Sequence, residues 1–129
     1  MRIHEFGTEH EKIVLLLHSA CLSWRMFRPA VERLQTQYHL IIPALPAHDP
    51  DEKTPYTSVE AIAAELGGWL TQRGIGALWG LYGVSMGGAV ALRLLADGKI
   101  PVRCWRTGRW RCVRVCSTRP SRRTVRRGG

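Results

Sequence analysis

Three short apolar runs constrain the fold of this chain more than any other feature. They are KIVLLLHS at 12–19, YHLIIPAL at 38–45 and ALWGLYGV at 77–84. Each has the length of a β-strand and is almost continuously apolar, which is typical of strands buried on both faces of a parallel sheet. The stretch 46–56 carries three prolines and four charges, which predicts a surface loop after the second run.

The segments between the runs have helical spacing. Segment 23–37 repeats its apolar residues every three to four positions, and the capping box TSVE at 57–60 begins a second helix that ends near Gly74. A third helix is predicted from Met86 to Asp97, and 100–102 could begin a fourth strand. This alternation predicts an α/β fold, a partial doubly wound parallel sheet of about three or four strands with flanking helices.

The net charge of +9 belongs to the last part of the sequence. Residues 1–100 carry nine basic and ten acidic side chains, whereas residues 101–129 carry ten arginines and no Asp, Glu, Lys or His. Beyond Val102 the apolar residues are scattered and the pattern of strands and helices ends. We therefore expect a folded core over 1–102 and an Arg-rich, disordered tail over 103–129.

Composition also limits the possible cellular location and binding partners of the chain. No stretch approaches the roughly 20 apolar residues of a membrane helix, and the polar start lacks the apolar segment of an export signal. The four cysteines fit no zinc-binding spacing, so we expect reduced thiols in a cytoplasmic protein with no membrane partner, metal or cofactor. Trp105 and Trp110 among the arginines favour non-specific binding of nucleic acid or other polyanions by the tail, and a dedicated nucleic-acid arm is the alternative.

One short motif suggests chemistry. GVSMGG follows the third apolar run and opens the third helix, so Gly83, Ser85 and Gly87 have the G-x-S-x-G spacing at a strand-to-helix turn. A nucleophilic serine needs this context, because a sharp turn exposes its oxygen and the glycines remove side chains that would clash. The alternative is a glycine-rich turn that serves only strand–helix packing, with Ser85 as a helix cap.

Three segments together resemble the α/β-hydrolase superfamily, the group of esterases, lipases and thioesterases. They are LLLHSACLSW at 15–24, IIPALPAHD at 41–49 and GVSMGG at 83–88, in the family's order, and the resemblance extends from residue 3 to about 102. It implies that Ser85 attacks an ester, thioester or amide carbonyl and forms an acyl-enzyme. It also implies that the N–H groups of Ala20 and Met86 form the oxyanion hole.

The sequence departs from the family after Val102. Members of the superfamily continue with further strands, a late Asp or Glu and a late His, and this chain has no acid after Asp97 and no histidine after His48. We interpret the chain as a truncated or frame-shifted hydrolase with little activity of its own. A rescue pairing of Ser85 with His18 or His48 and a non-catalytic interaction module are the alternatives.

The predicted arrangement also bears on association. The apolar run at 77–84 would have at best a short outer neighbour in the sheet, and an uncovered apolar strand is a template for pairing with another chain. We therefore expect oligomers or aggregates.

Overall fold

The computed structural model describes residues 1–108 and 113–114 of the 129-residue chain. The strands are β1 (Ile3–Phe6), β2 (Ile13–Leu17), β3 (His39–Pro43), β4 (Leu78–Gly83), β5 (Val102–Thr107) and β6 (Val113–Arg114). The helices are α1 (Arg28–Leu34), which follows a 3-10 turn at Trp24–Phe27, α2 (Val59–Gln72) and α3 (Met86–Asp97).

The strands form one sheet in the order β1-β3-β2-β4-β5-β6. The four central strands are parallel, and β1 and β6 add antiparallel pairs at the two edges of the described sheet. The predicted α/β class with a parallel sheet is confirmed. The sheet has more strands than the three or four expected, because short edge strands carry too few apolar residues to be recognised from their pattern.

Helices cover both faces of the sheet. Alternate residues of β2 and β3 point to opposite faces, so Leu16, Leu40 and Ile42 pack with Val31 of α1, whereas Leu15 and Leu17 pack beneath α2 and α3. The larger core lies on the second face and includes the α2 residues Ile62, Leu66 and Leu70 and the α3 residue Val90. Burial on both faces explains why the sequences of the central strands are continuously apolar.

The last parallel strand extends beyond the predicted core. β5 pairs with β4 from Val102 to Thr107, so the first residues of the predicted tail belong to the sheet. β4 therefore has a neighbour on both sides, and at six residues β5 is longer than the short outer neighbour that we expected. The expectation of disorder for the rest of 103–129 concerns residues that, apart from β6, lie outside the described part of the chain.

The cysteines differ from one another. Cys21 is free and exposed, whereas Cys104 in β5 is disulfide-bonded. The expectation that all four thiols are reduced was wrong for Cys104, because spacing along the chain does not show which sulfur atoms the fold brings together. Within the described residues, no helix is long and apolar enough to cross a membrane, and no group of three or more potential ligands could hold a metal ion.

Candidate active site

Ser85 lies at the point in the sheet where the helices that follow the strands change from one face to the other. β2 is followed by α1 on one face and β4 by α3 on the other, and the two strands are neighbours in the sheet. In open α/β sheets, ligands bind at the carboxyl ends of the strands beside such a point. Ser85 follows the carboxyl end of β4 directly, and it is exposed. The serine is therefore accessible at the end of the sheet where ligands of this fold class bind.

The turn at Ser85 has a strained backbone and leaves no room at its glycines. Ser85 has φ 51° and ψ −114°, and its side chain makes no capping hydrogen bond to α3. A Cβ atom on Gly83 would overlap the carbonyl oxygen of Gly87. A Cβ atom on Gly87 would overlap the carbonyl oxygens of Leu17 and His18 at the end of β2. This geometry agrees with a strained, exposed serine turn and does not agree with Ser85 as an ordinary helix cap.

His18 begins the turn that follows β2, and both of its ring nitrogens are occupied. Nε2 accepts the backbone N–H of Leu45 at 2.9 Å, and Nδ1 lies 2.9 Å from the carbonyl oxygen of Ser19. The first contact requires a lone pair on Nε2, so the proton of the neutral ring is on Nδ1. Burial lowers the pKa of His18 below its ordinary 6.5, and its side chain is fully buried. His18 therefore supports the loops and offers no free nitrogen to Ser85.

The rest of this turn is held by the loop after β3. The Nδ1 atom of His48 accepts the N–H of Cys21 at 3.2 Å, and the Oδ2 atom of Asp49 accepts the N–H of Trp24 at 2.8 Å. The Oδ2 atom of Asp51 accepts the indole N–H of Trp24, also at 2.8 Å. The loop predicted to lie on the surface thus has a buried anchor, because Asp49 is only 3% exposed. Sequence analysis missed both aspartates, since nothing in their local pattern distinguishes them from solvated loop residues.

All five histidines of the chain are described, and none has a hydrogen bond to Ser85. His48 uses Nδ1 as an acceptor, so its Nε2 carries the proton and is a donor. Of the other three, His39 is hydrogen-bonded to Glu5 at 2.8 Å. The Nε2 atoms of His10 and His4 lie 3.3 Å from Glu9 and 3.7 Å from Asp51 and make no hydrogen bond within the described part of the chain. The structure does not bring Ser85 together with a histidine base.

The N–H groups of Ala20 and Met86, which we named for the oxyanion hole, belong to two segments that contact each other through their backbones. Met86 is the first residue of α3, so its N–H has no acceptor within the helix. Ala20 is in the turn after β2, two residues beyond His18, whose carbonyl oxygen is close to Gly87. The N–H of Val84 also donates to the carbonyl oxygen of Leu17 at 3.1 Å. The backbone contacts at Leu17, His18 and Gly87 therefore connect the segments that carry the two amides.

One cavity among the described residues is at the opposite end of the sheet. It has a volume of about 390 Å³ and lies between α2 and α3, next to the first residues of β4 and β5. Its lining includes Ala63, Gly67, Leu70, Leu78, Leu94 and Val102. Because these strand residues are at the amino ends, the cavity is separate from Ser85.

Known proteins share this sequence pattern and fold. The model of the alpha/beta hydrolase family matches residues 14–127. An alpha/beta hydrolase family protein from Desulfitobacterium hafniense is 32% identical with a TM-score of 0.77, over 82% of this chain and 43% of that one. A thermophilic esterase from Thermogutta terrifontis is 26% identical with a TM-score of 0.70, over 82% and 39% of the two chains. MenH from S. aureus is 26% identical with a TM-score of 0.68, over 82% and 40%.

The match is partial in length. This chain spans only 39–43% of these three solved structures. No curated protein matches the sequence. Since the family model covers residues 14–127, which is most of the sequence, the chain belongs to the alpha/beta hydrolase family.

Proposed function

We propose that this chain carries the nucleophile of a serine hydrolase. Ser85 would attack the carbonyl carbon of an ester, thioester or amide and form an acyl-enzyme, which water then hydrolyses. The observation that supports this most strongly is the positive φ of an exposed serine between β4 and α3. Membership of the alpha/beta hydrolase family and the likeness to an esterase support the same substrate class.

The N–H groups of Met86 and Ala20 would stabilise the negative charge on the carbonyl oxygen. The N–H of Met86 is at the positive end of the α3 dipole, where developing negative charge is favoured. Gly83 and Gly87 would keep the serine turn close enough to the end of β2 for both amides to reach one oxygen atom. Their role is therefore steric, and the two amides supply the electrostatic part of catalysis.

The missing part is a general base. His18 and His48 already use lone pairs as acceptors from backbone N–H groups, and residues 101–129 contain no histidine or carboxylate. Without a base the serine hydroxyl is a weak nucleophile, and an oxyanion hole with binding alone leaves about 10³–10⁴-fold over water in related systems. We therefore propose weak activity for this chain, and truncation or a frame shift stays a prediction from the composition of 103–129.

The test compares the wild-type chain with Ser85→Ala on a short-chain aryl ester. We expect weak wild-type hydrolysis, at most about 10³–10⁴-fold over the reaction in water, and the part that depends on Ser85 should be lost in Ser85→Ala. A fluorophosphonate should form a slow adduct, and peptide mass mapping should find it on Ser85. An adduct on other residues only would contradict the proposal. If the wild type shows a robust rate that Ser85→Ala abolishes, Ser85 is the nucleophile and a base is present. His48→Ala would then test whether the half-buried His48 is that base.

Other expectations stay proposals. A small carbonyl compound is the substrate that we propose. Non-specific binding of polyanions by the arginines of the tail and oligomer formation rest on the sequence alone. For cytoplasmic location, the argument from four reduced thiols no longer holds, because Cys104 is disulfide-bonded. The alternative of a non-catalytic interaction module predicts no adduct on Ser85 at any reagent concentration that leaves the fold intact.

A further inference from the structure

The carboxylate of Asp49 is the most enclosed charged group in the described residues. Its side chain is fully buried, with Oδ2 accepting the N–H of Trp24 at 2.8 Å and Oδ1 accepting the N–H of Asp51 at 2.9 Å. Its Oδ2 is also 3.6 Å from Nε2 of His18. A buried carboxylate is costly unless its oxygens accept hydrogen bonds, and here each oxygen accepts one from the backbone.

These contacts fix the far end of a segment that has no regular structure of its own. The segment starts at His18 and reaches Trp24, and Ala20 lies inside it. Its start is fixed by the bond between His18 and the N–H of Leu45, and its middle by the bond between Cys21 and His48. Asp49 supplies the third attachment and holds the backbone N–H of Trp24, whereas Asp51 holds only the indole N–H of its side chain.

Resting on the oxyanion role proposed for the N–H of Ala20, we propose that Asp49 is a positioning residue: its carboxylate holds Trp24 and thereby fixes the segment that presents the Ala20 amide to the reacting carbonyl group. Both carboxylate oxygens of Asp49 must act as hydrogen-bond acceptors. An asparagine has the same shape, but its NH₂ group would face one of the two N–H donors. The carboxylate is therefore needed for its charge and acceptor capacity as well as its size.

The experiment uses the full chain, with Asp49→Asn as the test variant and Asp97→Asn as the matched control. Asp97 forms an exposed pair with Arg93 at 3.1 Å near the last turn of α3, so its replacement removes a carboxylate without touching the turn. Backbone amide exchange, followed by NMR, should show a protected Trp24 N–H in the wild type. In Asp49→Asn its exchange should rise about tenfold or more, while core amides of β2 stay protected.

The functional readout is the rate of fluorophosphonate addition to Ser85. Asp49→Asn should lower the maximal rate of adduct formation by about ten- to a hundredfold, with little change in the reagent concentration that gives half of it. Asp97→Asn should match the wild type in both quantities. A role in general stability alone would instead raise exchange at all core amides together.

The outcomes separate this inference from the proposed function. If Trp24 exchange rises but the rate at Ser85 is unchanged, the positioning role is wrong and the nucleophile stands. If the wild type forms no adduct on Ser85, the proposed function fails, and the inference that rests on it falls with it, whatever the exchange data show. A freely exchanging Trp24 N–H in the wild type overturns the inference without any variant, so a variant that fails to fold does not remove the test.

Discussion

Two neighbouring turns at the carboxyl end of the sheet are held in opposite ways. The turn after β4 is held by backbone packing: Gly83 contacts the backbone of Gly87, and Gly87 contacts the backbone at the end of β2. The turn after β2 is held by side chains that come from about 25 residues further along the chain, chiefly His48 and Asp49. The first turn depends on the absence of side chains, and the second depends on particular ones.

This difference determines how each turn should fail. Close backbone packing tolerates no added atom, but it contains no group that titrates near neutral pH. Hydrogen bonds to imidazole and carboxylate groups tolerate small changes in shape, but they depend on protonation. Substitution at a glycine should therefore damage the turn after β4 most, and acid should act first on the turn after β2.

The largest expected effect is that of Gly87→Ala. The new Cβ would overlap two backbone carbonyl oxygens, those of Leu17 and His18, and neither can move without separating α3 from β2. Overpacking of this kind costs about 3 kcal/mol at the upper end of its usual range. Urea unfolding should show that loss in the free energy of unfolding, and the adduct on Ser85 should become undetectable.

Gly68→Ala is the matched control. Gly68 is an exposed residue inside α2, and an added Cβ would have no atom within 4 Å. Alanine is the better helix former by about 0.5–1 kcal/mol, so this variant should gain stability by that amount. Equal losses in Gly87→Ala and Gly68→Ala would show that close packing is not what distinguishes the turn after β4.

The same difference explains how much could be predicted from the sequence. The serine turn is a local feature: its glycines, the strand before it and the helix after it are adjacent in the chain, and α3 begins and ends where the pattern predicts. The attachments of Asp49 and His48 join residues 25–27 positions apart, and no periodicity encodes which loop side chain meets which backbone N–H. The fold and the local structure of the serine turn were therefore predictable, and the anchoring of the other turn was not.

The ends of the sheet show a second limit. Ile3–Phe6 has apolar residues only at its two ends, which is too little pattern to identify a strand, and it is paired only through β3. β5 carries Arg103 and Arg106 between its apolar residues, so its composition resembles the tail although it pairs with β4. In both cases hydrogen bonds to a neighbouring strand stabilise a strand that its own sequence does not predict.

Mild acid should act on the turn after β2 through His18. Burial lowers the pKa of His18, and His48 adds to that shift, whereas the hydrogen bond to Ser19 and then the charge of Asp49 oppose it. The net shift is downward, so the unfolded chain takes up this proton more readily than the folded one. The stability that comes from neutral His18 is complete above pH 6.5 and is lost as pH falls through the folded pKa. The expected slope is at most about 1.4 kcal/mol per pH unit.

The measurement is the free energy of unfolding between pH 7.5 and 5. His18→Gln is the control, since its amide oxygen can still accept the N–H of Leu45 while the titrating group is gone. The pKa of His4 is also lowered by burial, so some slope should persist in the variant. An unchanged slope in His18→Gln would assign the acid sensitivity to other groups.

The smallest expected effect concerns Glu52, in the loop that anchors the turn after β2. The hydroxyl and N–H of Thr54, and then the N–H of Arg2, hold the pKa of Glu52 at about 2, below its ordinary 4.5. Its stabilisation is therefore present above pH 4.5 and is lost as pH falls towards 2. Glu52→Gln should cost about 1 kcal/mol at pH 6, because these contacts are exposed to solvent, and should be nearly neutral at pH 2.

Amide exchange shows which of the two turns is destabilised in Glu52→Gln. The N–H of Gly87 bonds to the carbonyl oxygen of Val84 at 2.9 Å inside the glycine turn, and the N–H of Trp24 bonds to Asp49. If the two turns are held independently, Glu52→Gln at pH 6 should speed exchange at Trp24 and leave Gly87 unchanged. Equal acceleration at both amides would mean that the turns open as one unit, because the contact of Gly87 with the end of β2 then transmits the loosening of the loop to the serine turn.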